Sequence, residues 1–182
     1  MVARQLSWLR VLATSTVVAG LVLFSSASAS AQEPNRSTAV GDVIKGVVFD
    51  PTTYAPATLS YTSMRMDWDS SQPLFRNGWV EQNRRFTISG RANDIPVSYA
   101  EGNNRIRHMA LLHLQESIIN NTATNIFERV LSEKYPQHRT LFKVLSWAER
   151  IAFASYVSYR ASANHFRQTE RNRQLAIQYG YR

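Results

Sequence analysis

The strongest constraint on this chain is the helical spacing of apolar residues that begins after Asn104. Leu112, Ile119, Ala123, Ile126, Phe127, Val130 and Leu131 recur at steps of three and four, while Thr124, Asn125, Glu128 and Ser132 take the other side. The spacing predicts a helix over 104–135 that stops at Tyr135-Pro136, because a residue before proline is biased away from the α region. A second helix is predicted over 138–178, with Leu141, Leu145, Ala148, Ala152, Ser155, Tyr159, Ala163 and Phe166 in phase. Two long helices joined by a short proline-containing connection predict a C-terminal antiparallel αα-hairpin. The fold class expected is therefore mainly α, a small helical bundle with at most a minor short-strand element in its N-terminal half. Ala148, Ala152 and Ser155 offer a small-residue face on which another helix could approach closely. Lys143, Glu149 and Arg150 in one helix, and His113, Gln115 and Glu116 in the other, argue against either crossing a membrane.

Upstream, residues 42–182 read as one domain preceded by a flexible leader over 32–41. The β-branched run in Asp42–Pro51 and the alternation in Arg85–Ser89 could each form a short strand. Between them, Thr58–Phe75 reads as a helix entered at Pro56 and closed by Gly78 in the C′ role, with Pro73 expected to kink or end it early. Ser89–Arg105 is rich in turn residues and reads as a long surface loop.

At the N-terminus, Arg4 and Arg10 precede an uncharged run from Val11 to Phe24 and then a Ser/Ala stretch. Residues 1–31 read as a secretory signal peptide, with Ala29-Ser30-Ala31 as the cleavage site and Gln32 as the new N-terminus. The alternative is an uncleaved inner-membrane anchor, lengthened by Trp8 and Leu9. Export implies a periplasmic or secreted bacterial protein. The absence of cysteine excludes thiol chemistry, iron–sulfur clusters and cysteine-based zinc sites.

The formal net charge of +8 is unevenly distributed. Residues 150–182 carry six arginines against Glu170 alone, a net of +5, whereas residues 32–149 are nearly neutral at +1. Arg160, Asn164, Arg167 and Arg171 fall on one stripe, with Arg173 nearby, and Tyr156, Tyr159, Ala163 and Phe166 are expected to turn toward the core or a membrane surface. Arginine forks suit phosphate and carboxylate. Export makes anionic lipid or an acidic envelope polymer the expected partner, and no nucleic acid is expected. The plain alternative is a solvated basic face.

Catalytic signatures are missing: the sequence has no G-x-S-x-G elbow, phosphate loop, G-x-G-x-x-G or H-E-x-x-H. His113 and Glu116 at i, i+3, with His165 and Glu149 on the next helix, are conceivable metal ligands, but half-exposed groups on amphipathic helices are usually solvated. His108, five positions from His113, points elsewhere. Asp67 and Asp69 could pair on a strand but not on a helix, so paired-carboxylate chemistry is disfavoured. No cofactor, metal site or catalytic residue is expected.

The most distinctive polar set is Asp67, Ser70 and Ser71, which share a helix face with Leu74, followed by Gly78, Glu81 and Asn83. The spacing D-x-x-S-S, then G-x-x-E-x-N, resembles a pattern in small uncharacterised exported or membrane proteins of bacteria. The resemblance covers about residues 57–83 and implies no activity, cofactor or catalytic residue. Arg84-Arg85 and the modest apolarity of Thr58–Phe75 depart from its membrane members. Without a ligand, Asp67 and the serines would bond a buried turn near Gly78 and Glu81. Three functions follow as expectations: a non-enzymatic exported protein that meets the envelope through its basic C-terminal helix; a small-ligand binder or enzyme using Asp67, Ser71 and Glu81; or a structural subunit in a homo- or hetero-oligomer.

Overall fold

The computed structural model describes residues 36–181, and the expected signal peptide, its Ala31-Gln32 cleavage point and the first residues of the leader lie outside them. Four helices account for most of the described chain: α1 (Arg36–Val48), α2 (Pro51–Arg76), α3 (Tyr99–Lys134) and α4 (Arg139–Gln178). Among the described residues there is no strand, only isolated bridges between Glu81 and Asp94 and between Thr87 and Pro96. The mainly α bundle is as expected. Both strand expectations are corrected: the β-branched run lies in α1, and Arg84–Phe86 is one 3₁₀ turn. Helix α1 begins at Arg36, inside the stretch read as a leader.

Helix α2 begins earlier than the apolar spacing suggested because Asp50 caps it. The Asp50 carboxylate accepts from the Thr52 backbone N–H at 2.9 Å, and Pro51 occupies the first turn, where no N–H is needed. Pro73 does not end the helix early. The stop comes at Gly78, whose φ of +83° suits glycine; Gly78 N donates to Phe75 O and Trp79 N to Leu74 O, the paired bonds of a Schellman motif. Helix α3 starts inside the stretch read as loop. Ser98 Oγ accepts from Glu101 N at 3.2 Å, so Ser98-x-x-Glu101 supplied an N-terminal signal that the turn-rich neighbourhood obscured.

The bundle pairs α2 parallel to α4 and antiparallel to α3. Asp50 meets Arg150 and Asp67 meets His165, while Thr52 meets Asn121 and Arg65 meets Asn103. Along α3 and α4, contacts run from Glu128–Arg150 through Asn120–Glu149 to Glu116–Arg160, but α4 packs more extensively on α2 than on α3. The apolar core is compact: Met64, Trp68, Phe86, Val97 and Ile106, with Phe75 and Met109 packed against it. Trp68 stacks on Phe86 at 5.3 Å between ring centroids. Its indole lies over Gly102, where an added Cβ would come within 2.3 Å of the ring, so this helix crossing requires glycine.

The buried helix faces are not the ones the apolar spacing selected. The described contacts between helices bury Thr53, Ser60 and Ser63 on α2, Ser117 and Asn121 on α3, and Ser146, Ser158 and Ser162 on α4. Leu112, Ile119, Phe127, Val130 and Leu131, expected to share one helix face, are exposed. So are Leu141, Leu145, Tyr156, Tyr159 and Phe166, so the three α4 aromatic residues do not face the core. Ala148, Ala152 and Ser155 are also on the outside. Several buried hydroxyls bond their own helix: Ser63 to Ser60 O, Ser117 to His113 O and Ser162 to Ser158 O. Small, self-satisfied side chains let helices approach without large apolar residues between them.

Candidate functional site

A cleft of about 300 Å³ opens where the last turns of α2 face the C-terminal third of α4. The Schellman turn at Gly78 folds the following segment over its mouth and brings Glu81 and Asn83 opposite Asp67 and Ser71. From α4 the cleft receives His165, Gln168, Arg171 and Asn172. Trp68, Phe75, Trp79 and Phe86 provide an aromatic wall, and Trp79 meets Tyr179 edge-on at 5.4 Å.

Asp67 is the centre of the polar wall. Its Oδ2 lies 2.7 Å from His165 Nδ1, and its Oδ1 accepts from Asn172 Nδ2 at 3.1 Å. Asn172 Nδ2 also lies 2.8 Å from Ser71 Oγ and 3.3 Å from Ser70 Oγ, while both hydroxyls donate to Asp67 O. The serines therefore have protons committed to α2 and lone pairs turned to Asn172. This corrects the expectation that Asp67 and the serines bond the turn near Gly78: the serines donate within α2, and the partners across the cleft are His165 and Asn172 on α4. A carboxylate at Nδ1 orients the ring and leaves Nε2 as its remaining polar atom. Ser71 makes no hydrogen bond to the imidazole, and the arrangement contains no activated serine nucleophile.

Glu81 is held by its own turn. Glu81 N donates to Asp94 O at 2.8 Å, and Glu81 Oε1 accepts from Asn83 N at 2.6 Å. Burial pushes its carboxyl above the ordinary value, the nearby Asp67 charge adds to this, and the Asn83 N–H opposes it. Asn83 uses its side-chain oxygen to cap the short 3₁₀ turn through Arg85 N.

Asp67, Ser71, Glu81 and Asn83 thus line one concavity, with Ser70 bonded at its edge. Arg171 lines it too, while Arg160, Arg167 and Arg173 do not. Arg160 lies 3.8 Å from Glu116 and 5.8 Å from the centroid of Tyr156; Arg167 and Arg173 are exposed. His113 pairs with Glu116 at 3.2 Å, and Glu149 accepts from Thr124, so neither joins the cleft. Among the described residues no cluster of three or more His, Asp or Glu could hold a metal ion. Asp69 faces away from Asp67 and accepts from Arg65 and Tyr99. Sequence reasoning missed Asn172 and the Asp67–His165 pair. Their signal was the seven-residue step from His165 to Asn172, which puts both on one helix face.

Comparison with known proteins finds no family model, no curated protein and no solved structure that matches this chain.

Proposed function

We propose that this chain is an exported, non-enzymatic protein that holds a small polar ligand in the α2–α4 cleft. The observation that carries the reading is the convergence of Asp67, Glu81, His165, Arg171 and Asn83 on one concavity from segments distant in sequence. Its size lies at the lower end of small-molecule sites. Glu81 and Arg171 offer groups of opposite sign, and the aromatic wall suits an apolar portion of the same ligand, so the fit favours a small molecule with both donor and acceptor groups. The test is a thermal-shift panel of free amino acids, mono- and disaccharides and organic phosphates. At least one class should raise the midpoint, by about 2.7 kcal/mol of stabilisation at a hundredfold excess over Kd, and Glu81→Gln or Arg171→Gln should remove the effect. A panel without any shift would overturn the reading.

A second reading rests on the exposed Arg167, Arg171 and Arg173 along α4. They support contact with anionic lipid or an acidic envelope polymer, with binding that weakens in salt. Replacing all three by Gln should abolish flotation with anionic vesicles at low salt; unchanged flotation would remove this reading.

A further inference from the structure

The contacts between helices place many of the exposed apolar residues in a band at one level of the bundle, while others, such as Ile88, Ile95 and Ile177, lie away from it. Glu149 reaches Asn120 and Thr124, Arg150 reaches Glu128 and Asp50, and Arg160 reaches Glu116. Residues 111–131 of α3, 141–159 of α4 and the first turns of α2 therefore occupy the same level of the bundle. At that level Leu112, Ile119 and Val130 on α3, and Leu141, Leu145 and Tyr159 on α4, are between 40% and 71% exposed. On α4 the band runs from just after Arg139 to just before Arg160. Its height is roughly 27 Å at 1.5 Å per residue, close to the thickness of a bilayer's hydrocarbon layer.

Several polar groups at this level are turned inward or tied to one another, while Gln115 on α3 and Lys45 on α1 are exposed. Arg150 Nε lies 2.8 Å from Asp50 Oδ2, near enough for an ion pair though not aligned as a hydrogen bond, and both side chains are mostly buried. Glu149 is held by Asn120 and Thr124, and Glu116 by His113 and Arg160. Ser60, Ser63, Ser117 and Asn121 are buried between the helices. Lys143 is within a turn of the band's edge and can extend its amine past it. Small and hydroxyl-bearing residues between helices, with apolar residues outside, is the arrangement expected where the surroundings are lipid. No helix among the described residues is long and apolar enough by itself to cross a membrane.

We infer that the end of the bundle opposite the ligand cleft is seated against the acyl chains of a lipid bilayer. Arg160, Arg167 and Arg171 follow the band directly along α4, where headgroup phosphates would meet them, and Tyr156 and Tyr159 mark the boundary. This matches the charge of an anionic membrane better than that of a second copy, which would bring Arg-rich ends or like-charged Glu149 side chains together. The inference does not depend on the cleft having a ligand.

The test uses full chain, purified in detergent and reconstituted into phosphatidylcholine vesicles with or without anionic lipid, some carrying brominated acyl chains. Trp147 is 59% exposed in the band, whereas Trp68 is buried and Trp79 lines the cleft. Bromolipid should quench wild-type emission, and Trp147→Phe should lose that component; Tyr159→Phe should retain it. Quenching in purely zwitterionic vesicles that is lost in Trp147→Phe, and so does not come from Trp8 in the N-terminal stretch, supports the band even where the arginine reading fails. Flotation without a Trp147-dependent component, or a stable dimer that stays in solution away from vesicles, would overturn it.

Discussion

Asp67 Oδ2 lies 2.7 Å from Nδ1 of His165, 98 residues along the chain, and each side chain is less than one-fifth exposed. This contact joins α2 to α4 and sets the imidazole facing the cleft. A double-mutant cycle with Asp67→Ala and His165→Ala should return a coupling energy of about 0.5–3 kcal/mol in urea denaturation. Additive losses would show that the two side chains are neighbours without being partners.

Gly102→Ala would put a methyl group into the Trp68 indole, since the nearest ring atom is 2.3 Å from the new Cβ. Alanine would improve helix propensity by about 1 kcal/mol, but overpacking a filled core costs about 1–3 kcal/mol. The net expectation is a lower thermal midpoint with changed Trp68 near-ultraviolet circular dichroism. An increased midpoint would mean that the helices can separate at this crossing without loss.

Asp50 has two roles that separate by substitution. Its Oδ1 caps α2 through Thr52 N, and its Oδ2 faces Arg150. Asp50→Asn keeps an oxygen for the cap and loses the charge, whereas Asp50→Ala loses both. The alanine variant should be less stable than the asparagine variant by about 0.5–2 kcal/mol in urea denaturation, the usual value of a cap. Equal stabilities would assign the whole effect to the ion pair.

The raised pKa of Glu81 makes stability depend on pH. With the folded-state value above the ordinary 4.5, the folded protein binds more protons than the unfolded chain in the interval between the two. The associated stability is fully present below 4.5 and is lost as pH rises through the folded value. Glu81→Gln, which can still accept from Asn83 N, should therefore be more stable than wild type at neutral pH and lose that advantage in acid. Urea midpoints across this range check the sign; a gain that persists below the ordinary carboxylate range would contradict it.

The long helices were legible because Pro136 separates two stretches of sustained helical spacing: the expected 104–135 and 138–178 became Tyr99–Lys134 and Arg139–Gln178. Gly78 likewise announced the end of α2. The buried faces were not legible, because apolar spacing marks large hydrophobic side chains, whereas much of the helix contact is made through small polar ones. Here Ser60, Ser117 and Ser158 pack inside while Leu112 and Leu145 lie outside. The polar residues of the cleft could be named individually, but pairing Asp67 with His165 and Asn172 required knowing that α2 and α4 run parallel. The short α1 and the two strand expectations show the same limit, since a β-branched run such as Val43–Val48 fits either element.

The most direct test of the ligand-cleft account is heteronuclear NMR of the His165 ring during titration with the amino acids, sugars and organic phosphates of the ligand panel. The account predicts that at least one of them moves the His165 Nε2 resonance saturably, and that Glu81→Gln weakens or removes this response while the fold is retained. A His165 ring that responds to no member, or responds identically in Glu81→Gln, would contradict the claim that these side chains form one binding site.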